Sequence, residues 1–291
     1  MRRSYKVVDV FSDKPMRGNP LAVVLDAAGL STDDMQRIAG WTNLSETTFV
    51  LPPTNLSASY TLRIFTTRNE LPFAGHPTLG SAHAIAEAGR AAPKNGVFVQ
   101  ECKIGLVNVR VDGPKITLEL PTAKFTRLEP ADVDELESLL GRKILRTPVP
   151  AVVDVGPKWI IAELKGADDV IAVKADLARL EKLERKVGAT GLTIFGRYAS
   201  GDIAIEVRTF APSDGIAEDP VCGSGNGSVA AFIWAANPVA GGLSYTAAQG
   251  RCVGREGRID VVIDAAGKIT LGGACITSVD GTLIYEGSVR N

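Results

Sequence analysis

The sequence predicts an α+β protein of two pseudo-symmetric lobes, each a curled mixed or antiparallel sheet wrapped around a central helix. One strand–turn–helix pattern occurs twice, about half a chain apart. Leu62-Arg-Ile-Phe65 leads to Glu70-Leu-Pro-Phe-Ala-Gly-His-Pro-Thr-Leu-Gly80, and Ile203-Ala-Ile-Glu-Val-Arg-Thr-Phe210 leads to Glu218-Asp-Pro-Val-Cys-Gly-Ser-Gly-Asn-Gly227. Overlaying the copies pairs Arg63 with Arg208, Phe65 with Phe210, Glu70 with Glu218, Pro72 with Pro220, Gly75 with Gly223 and Ala82 with Ala230. Shared residues that span strand, turn and helix together point to duplication. The runs that follow, Ser81 to Ala88 and Ser228 to Ala236, are apolar on most faces, which marks buried helices. The remaining strands are short and numerous, so each sheet is expected to curl around its helix.

The elements follow in order. Val7 to Phe11 and Leu21 to Leu25 read as strands around the turn Arg17-Gly-Asn-Pro20. Ser31 to Ala39 reads as a short helix, with Ser31 as N-cap and Asp34 placed for a capping box. A β-branched and aromatic run begins just after Glu46, and Leu56 to Phe65 alternates as a strand. Strands are predicted at 97–104, 107–111 and 116–120, and a helix over Pro130 to Leu140. The second half repeats the plan with strands at 149–155 and 159–162, a charged helix over Leu177 to Lys186, and strands at 192–195 and 203–210. Strands at 258–263, 268–271 and 282–285 close the chain. The expected division is an N-terminal lobe over 1–122 and a C-terminal lobe over 123–281, the strand near 282–291 returning to the first lobe. The active site is expected in the cleft between them.

A chain of 291 residues with a net charge of −1 and 45% hydrophobic residues has the composition of a globular protein with a sizeable core. No basic stripe with interleaved aromatics suggests nucleic acid, and no apolar run reaches the length of a membrane span. Cys102, Cys222, Cys252 and Cys275 are scattered without a C-x-x-C pair, and only His76 and His83 are present. These counts argue against a zinc site or a disulfide framework and fit a reducing, cytoplasmic location.

The chemistry concentrates in the two turns. A Gly-rich turn feeding a helix N-terminus aims unpaired backbone N–H groups at one point, and the helix dipole adds positive potential there, so an anion such as a small carboxylate is the expected guest. Asp219, Cys222 and Ser224 supply an acid, a thiol and a hydroxyl beside Gly223 and Gly225. His76 beside Gly75 occupies the matching turn, where a helix start favours a neutral, donating ring. Glu46 has no acidic counterpart in the second half and is a candidate base. His83, on the apolar helix, is expected to be a core histidine, and Cys102, Cys252 and Cys275 to be small packing groups. The run Gly223-Ser-Gly-Asn-Gly227 lacks the spacing and the βαβ context of a dinucleotide loop.

These residues carry a resemblance. Phe65 through Gly80, Arg208 through Gly227, Asn43 through Glu46 and the N-terminal stretch Val8 to Val23 resemble the PhzF-like phenazine biosynthesis isomerase family, whose fold is that of diaminopimelate epimerase. The resemblance implies a catalytic glutamate at Glu46, a histidine at His76, an aspartate at Asp219 and a small polar ligand residue at Ser224, with the Gly75 backbone beside the site. It also implies a cofactor-free, metal-free isomerase, usually a homodimer, that moves a proton on a small carboxylate. This chain departs from the family at Cys222, where phenazine-type members usually carry threonine. Epimerases and racemases resembling this fold use two cysteines, one from each half, and the position matching Cys222 is Ala74. Three alternatives stay open: an amino-acid racemase or epimerase using Cys222 with a second base, a Cys222–His76 thiol hydrolase, and a non-catalytic binding protein on the same fold.

Overall fold

The computed structural model describes residues 2–285. They fall into two compact units, 2–118 with 272–285, and Glu119–Leu271. The chain thus re-enters the first unit at Gly272, earlier than 282. Of the returning strand expected near 282–291, residues 286–291 lie outside the described residues.

In chain order the first unit begins with β1 (Arg2–Val10), β2 (Asn19–Val24), α1 (Thr32–Thr42), β3 (Glu46–Leu51), β4 (Tyr60–Thr66), β5 (Glu70–Leu71) and α2 (Gly75–Glu87). It continues with β6 (Val97–Cys102), β7 (Gly105–Asp112) and β8 (Lys115–Glu119). Next come β9 (Lys124–Arg127), α3 (Pro130–Leu140), β10 (Ala151–Asp154), β11 (Lys158–Glu163), α4 (Ala167–Ile171), α5 (Leu177–Val187) and β12 (Gly191–Arg197). The chain closes with β13 (Ile205–Ala211), β14 (Ile216–Asp219), α6 (Gly223–Ala236), β15 (Leu243–Gln249), β16 (Gly257–Ile263) and β17 (Ile269–Ile284). The sequence pattern missed β5, β9, α4, β14 and β15, and it split β17 into two strands.

Strand pairing in the first unit forms a closed ring, β1–β2–β3–β4–β6–β7–β8–β17 and back to β1. The β2–β3 and β4–β6 pairs are parallel, and β5 folds back on β4. A ring leaves no sheet edge to solvent. The second unit repeats the order: β10–β11 antiparallel, β11–β12 parallel, β12–β13 antiparallel, β13–β14 antiparallel, β13–β15 parallel and β15–β16 antiparallel. β9 is added beside β10.

Helix α2 touches β1, β2 and β3 on one side of the ring and β7 on the other, so it runs inside the ring. Close approach explains its small residues: a Cβ on Gly80 would sit 2.7 Å from Leu21 Cδ2 and 2.8 Å from Val10 Cγ2. Helix α6 packs likewise on β10, β11, β12 and β16, and a Cβ on Gly227 would meet Leu120 Cδ1 at 2.2 Å. The other helices pack against the outside of the first ring and against the sheet of the second unit. α1 buries Met35, Ile38 and Ala39 against Phe49 and Phe65, and the capping box between Ser31 and Asp34 fixes its start. α3, α4 and α5 cover the second unit with Val133, Leu136, Leu140, Val170, Leu180 and Leu183.

The duplicated motif has one geometry in both units. Arg63 Nε and Nη2 each donate to the Glu70 carboxylate at 2.8 Å, and Arg208 donates to Glu218 at 2.9 and 2.7 Å. Each guanidinium also lies over the phenylalanine two residues on, 5.1 Å from the Phe65 centroid and 4.9 Å from that of Phe210. The clamp ties the strand before the motif to the segment that opens the helix.

Candidate active site

Glu46, Gly75 and His76 lie in the first unit; Asp219, Cys222, Gly223, Ser224 and Gly225 lie in the second. Glu46 opens β3 opposite Thr66 of β4, and His76 stands in the first turn of α2. This helix starts at Gly75 with Ala74 as N-cap, so Gly-His-Pro-Thr is its first turn and not the turn before it. Pro77 fits there because the opening N–H groups of a helix have no intrahelical acceptor to lose. Strand start and helix start bring Glu46 Oε2 to 3.4 Å from His76 Nε2, with the two side chains 15% and 9% exposed. Burial disfavours the ionised carboxylate and pushes Glu46 above the ordinary glutamate range.

Buried hydroxyls and an amide hold the α2 turn in place. Thr78 Oγ1 donates to the Ala74 carbonyl at 2.9 Å and accepts from Gln100 Nε2 at 3.0 Å. One turn on, Ser81 donates to Thr48 Oγ1 at 2.9 Å. His83 is not a core histidine: half-buried, its Nε2 is 3.3 Å from Thr277 Oγ1 and 3.9 Å from Glu87. The ring lies beyond the most enclosed part of α2, where Glu87 and Lys6 meet. Cys275 is buried, whereas Cys102 is half-buried and Cys252 exposed, so those two are not core packing groups.

In the second unit, Asp219 ends β14, and its Oδ1 accepts the Val221 N–H at 3.0 Å, closing a tight turn. Cys222 is the N-cap of α6, its Sγ accepting the Gly225 N–H at 3.3 Å. Gln249, at the end of β15, locks this turn. Its Oε1 accepts from the Cys222 N–H at 3.1 Å and from Asn226 Nδ2 at 2.7 Å, while its Nε2 donates to the Asp219 carbonyl at 2.9 Å. Asn226 Nδ2 also donates to the Cys222 carbonyl at 2.9 Å. Asn226 therefore plays the part of Thr78, and Gln249 that of Gln100. Gly225 is required because a Cβ there would lie 2.7 Å from Thr193 Oγ1 and 2.9 Å from Thr209 Oγ1. Ser224 Oγ accepts the indole N–H of Trp159 at 2.9 Å and lies 3.6 Å from Cys222 Sγ.

Sequence reasoning missed Gln100, Trp159, Asn226 and Gln249. Only Asn226 lay in a motif; the others come from distant strands whose register the sequence does not reveal. Among the described residues, no group of three or more His, Cys, Asp or Glu side chains is placed to hold a metal ion. Nor is any helix among them long and apolar enough to cross a membrane.

The fold superposes with a TM-score of 0.88 on a PhzF-family phenazine biosynthesis protein from Bacillus anthracis, at 22% identity over 98% of this chain and 100% of that one. A hydroxyproline epimerase from Agrobacterium vitis shares the fold at a TM-score of 0.65 and 14% identity, over 97% of this chain and 91% of that one. Residues 8–281 match the sequence profile of the phenazine biosynthesis-like proteins, PhzC-PhzF, and the chain belongs to that family. The chain is 40% identical to antisense-enhancing sequence 1 of Schizosaccharomyces pombe, over 96% of this chain and 97% of that protein. It is 32% identical to the trans-2,3-dihydro-3-hydroxyanthranilate isomerase of Pseudomonas aeruginosa, over 91% of each.

Proposed function

We propose that the protein is an isomerase that moves a proton on a small carboxylate substrate by general acid–base catalysis, using its own side chains and backbone amides. The observation that carries this reading is the Glu46–His76 pair, a buried carboxylate with a raised pKa 3.4 Å from an imidazole at a helix start. Removing a proton from carbon near neutral pH needs a base poised in that range. Glu46 takes the role of proton carrier. His76 and the Gly75 backbone, at the positive end of α2, stabilise the negative charge that develops. At the start of α6 the Gly225 N–H is taken by Cys222 Sγ, so the amides of Gly223 and Ser224 and the Ser224 hydroxyl are the donors assigned to a substrate carboxylate. Asp219, fixed by the Val221 N–H, is assigned a catalytic role in the same reading.

The lone thiol weighs against a two-cysteine racemase. Cys222 is occupied as a helix cap, and its counterpart Ala74 is a cap without a side-chain bond. A second reading is a non-catalytic binding protein on this fold.

The test offers trans-2,3-dihydro-3-hydroxyanthranilate and a panel of small carboxylates to the protein in D₂O. The expected product is a positional isomer carrying solvent deuterium, with Glu46→Gln slower by at least about a hundredfold. An enantiomer as product makes the protein a racemase and not a positional isomerase, and an unimpaired Glu46→Gln removes Glu46 as the proton carrier. No turnover across the panel, with retained carboxylate binding, favours the binding protein.

A further inference from the structure

The indole of Trp159 donates to Ser224 Oγ at 2.9 Å from β11, a strand outside both motifs. Trp159 is only 5% exposed, and its ring is wedged against Gly191, where a Cβ would lie 2.5 Å from Trp159 Cζ3. An indole N–H can only donate, so this contact fixes Ser224 as an acceptor on that side. Among the described residues, the one other partner at hand is Cys222 Sγ at 3.6 Å, itself the acceptor of the Gly225 N–H and a weak acceptor in general. The serine proton is therefore left for a stronger acceptor in front of α6.

We infer that Trp159 is a positioning and specificity-determining residue: by holding Ser224 Oγ as an acceptor, it turns the Ser224 hydroxyl into a proton donor toward the ligand. This deepens the proposed carboxylate site at α6 and rests on that reading. It selects an anionic oxygen over a neutral group, because hydrogen bonds to charged acceptors are roughly twice as strong as neutral ones. Without the indole N–H, the hydroxyl is free to point its proton elsewhere and its lone pair at the ligand.

Calorimetric titration of the full chain with benzoate and with neutral benzamide tests this. Trp159→Phe keeps an aromatic ring against Gly191 and removes the N–H. It should weaken benzoate about fivefold and benzamide by less than about twofold. Ser224→Ala should give the same benzoate loss, and the double variant no further loss. Equal loss of both probes, loss of neither, or additive losses overturn the positioning role. Should Trp159→Phe fail to fold, the indole ¹H–¹⁵N spectrum of the native chain decides. Saturating benzoate must then move the Trp159 cross-peak and leave those of Trp41 and Trp234 in place, and an unmoved Trp159 peak overturns the inference. If the native chain binds no benzoate at all, the carboxylate reading itself falls, and this role falls with it.

Discussion

Glu46 Oε2 faces His76 Nε2 across 3.4 Å, one from the first residue of a strand and the other from the first turn of a buried helix. Because burial raises the Glu46 pKa, the ascending limb of the kcat/KM pH profile should lie above the ordinary glutamate range. Stability should respond with the opposite sign. A carboxyl whose folded pKa exceeds its unfolded value favours the fold at low pH, and that contribution is lost as pH rises through the folded pKa. Glu46→Gln is thus expected to be more stable than the native chain at pH 8 and equal to it at pH 4. Urea melts at the two pH values check this; an equal gain at both would remove the burial argument.

Cys222 separates a capping role from a chemical one. Cys222→Thr keeps an acceptor at the N-cap of α6 and should fold and turn over substrate much as the native chain does. Cys222→Ala removes the acceptor of the Gly225 N–H and should cost about 1 kcal/mol. A thiol acting as proton carrier would leave Cys222→Thr inactive, since a hydroxyl is a far weaker acid. Activity and denaturation measured on both variants distinguish the two.

The two arginine clamps should differ in strength. Arg208 and Glu218 are 9% and 10% exposed, and Arg208 also donates to the Val170 and Val173 carbonyls at 3.1 and 2.8 Å. Removing one partner strands a buried charge, so Arg208→Ala should cost about 3–5 kcal/mol. Arg63 is 25% exposed, and Lys103 remains on Glu70 at 2.7 Å when it is removed. Arg63→Ala should therefore cost clearly less, about 1–2 kcal/mol. Equal losses in urea titrations would argue against burial as the cause.

Glu184 gives a pH signature away from the candidate site. Its carboxylate is wholly buried on α5 and accepts from the Ser213 N–H at 3.2 Å and hydroxyl at 2.6 Å. Burial outweighs these bonds and pushes its pKa up to about 6. The folded state then holds its proton more tightly than the unfolded chain, so stability falls as pH rises from the ordinary carboxylate range through about 6. Glu184→Gln should gain on the order of 1 kcal/mol at pH 7.5 and nothing at pH 4. Thermal melts across that range read the difference.

Much of this was legible because it is local. The overlay of Arg63 on Arg208 and Glu70 on Glu218 anticipates the clamps, since strand, motif and helix are contiguous in sequence. The Ser31–Asp34 capping box was legible for the same reason. The start of α2 was placed too late because Gly75, His76 and Pro77 read as turn residues, whereas the opening turn of a helix tolerates all of them. β5 and β14 were hidden by their shortness, and β15 by the mixed burial of its first half. Trp159, Gln100 and Gln249 reach the motif helices only through strand register. No local pattern encodes that register.

β17 has a consequence for how the molecule is made. It pairs with β1 from Arg2↔Ile284 to Val10↔Cys275 and also with β8, so it is the stave that closes the first ring. A ribosome releases residues 2–118 with β1 and β8 both lacking that neighbour, then synthesises the whole of Glu119–Leu271 before supplying it. The unit made second can be finished first, while the unit made first waits with two open seams. Open strand edges invite pairing with other nascent chains, so the interval between the emergence of β8 and that of β17 is when this protein most needs a chaperone.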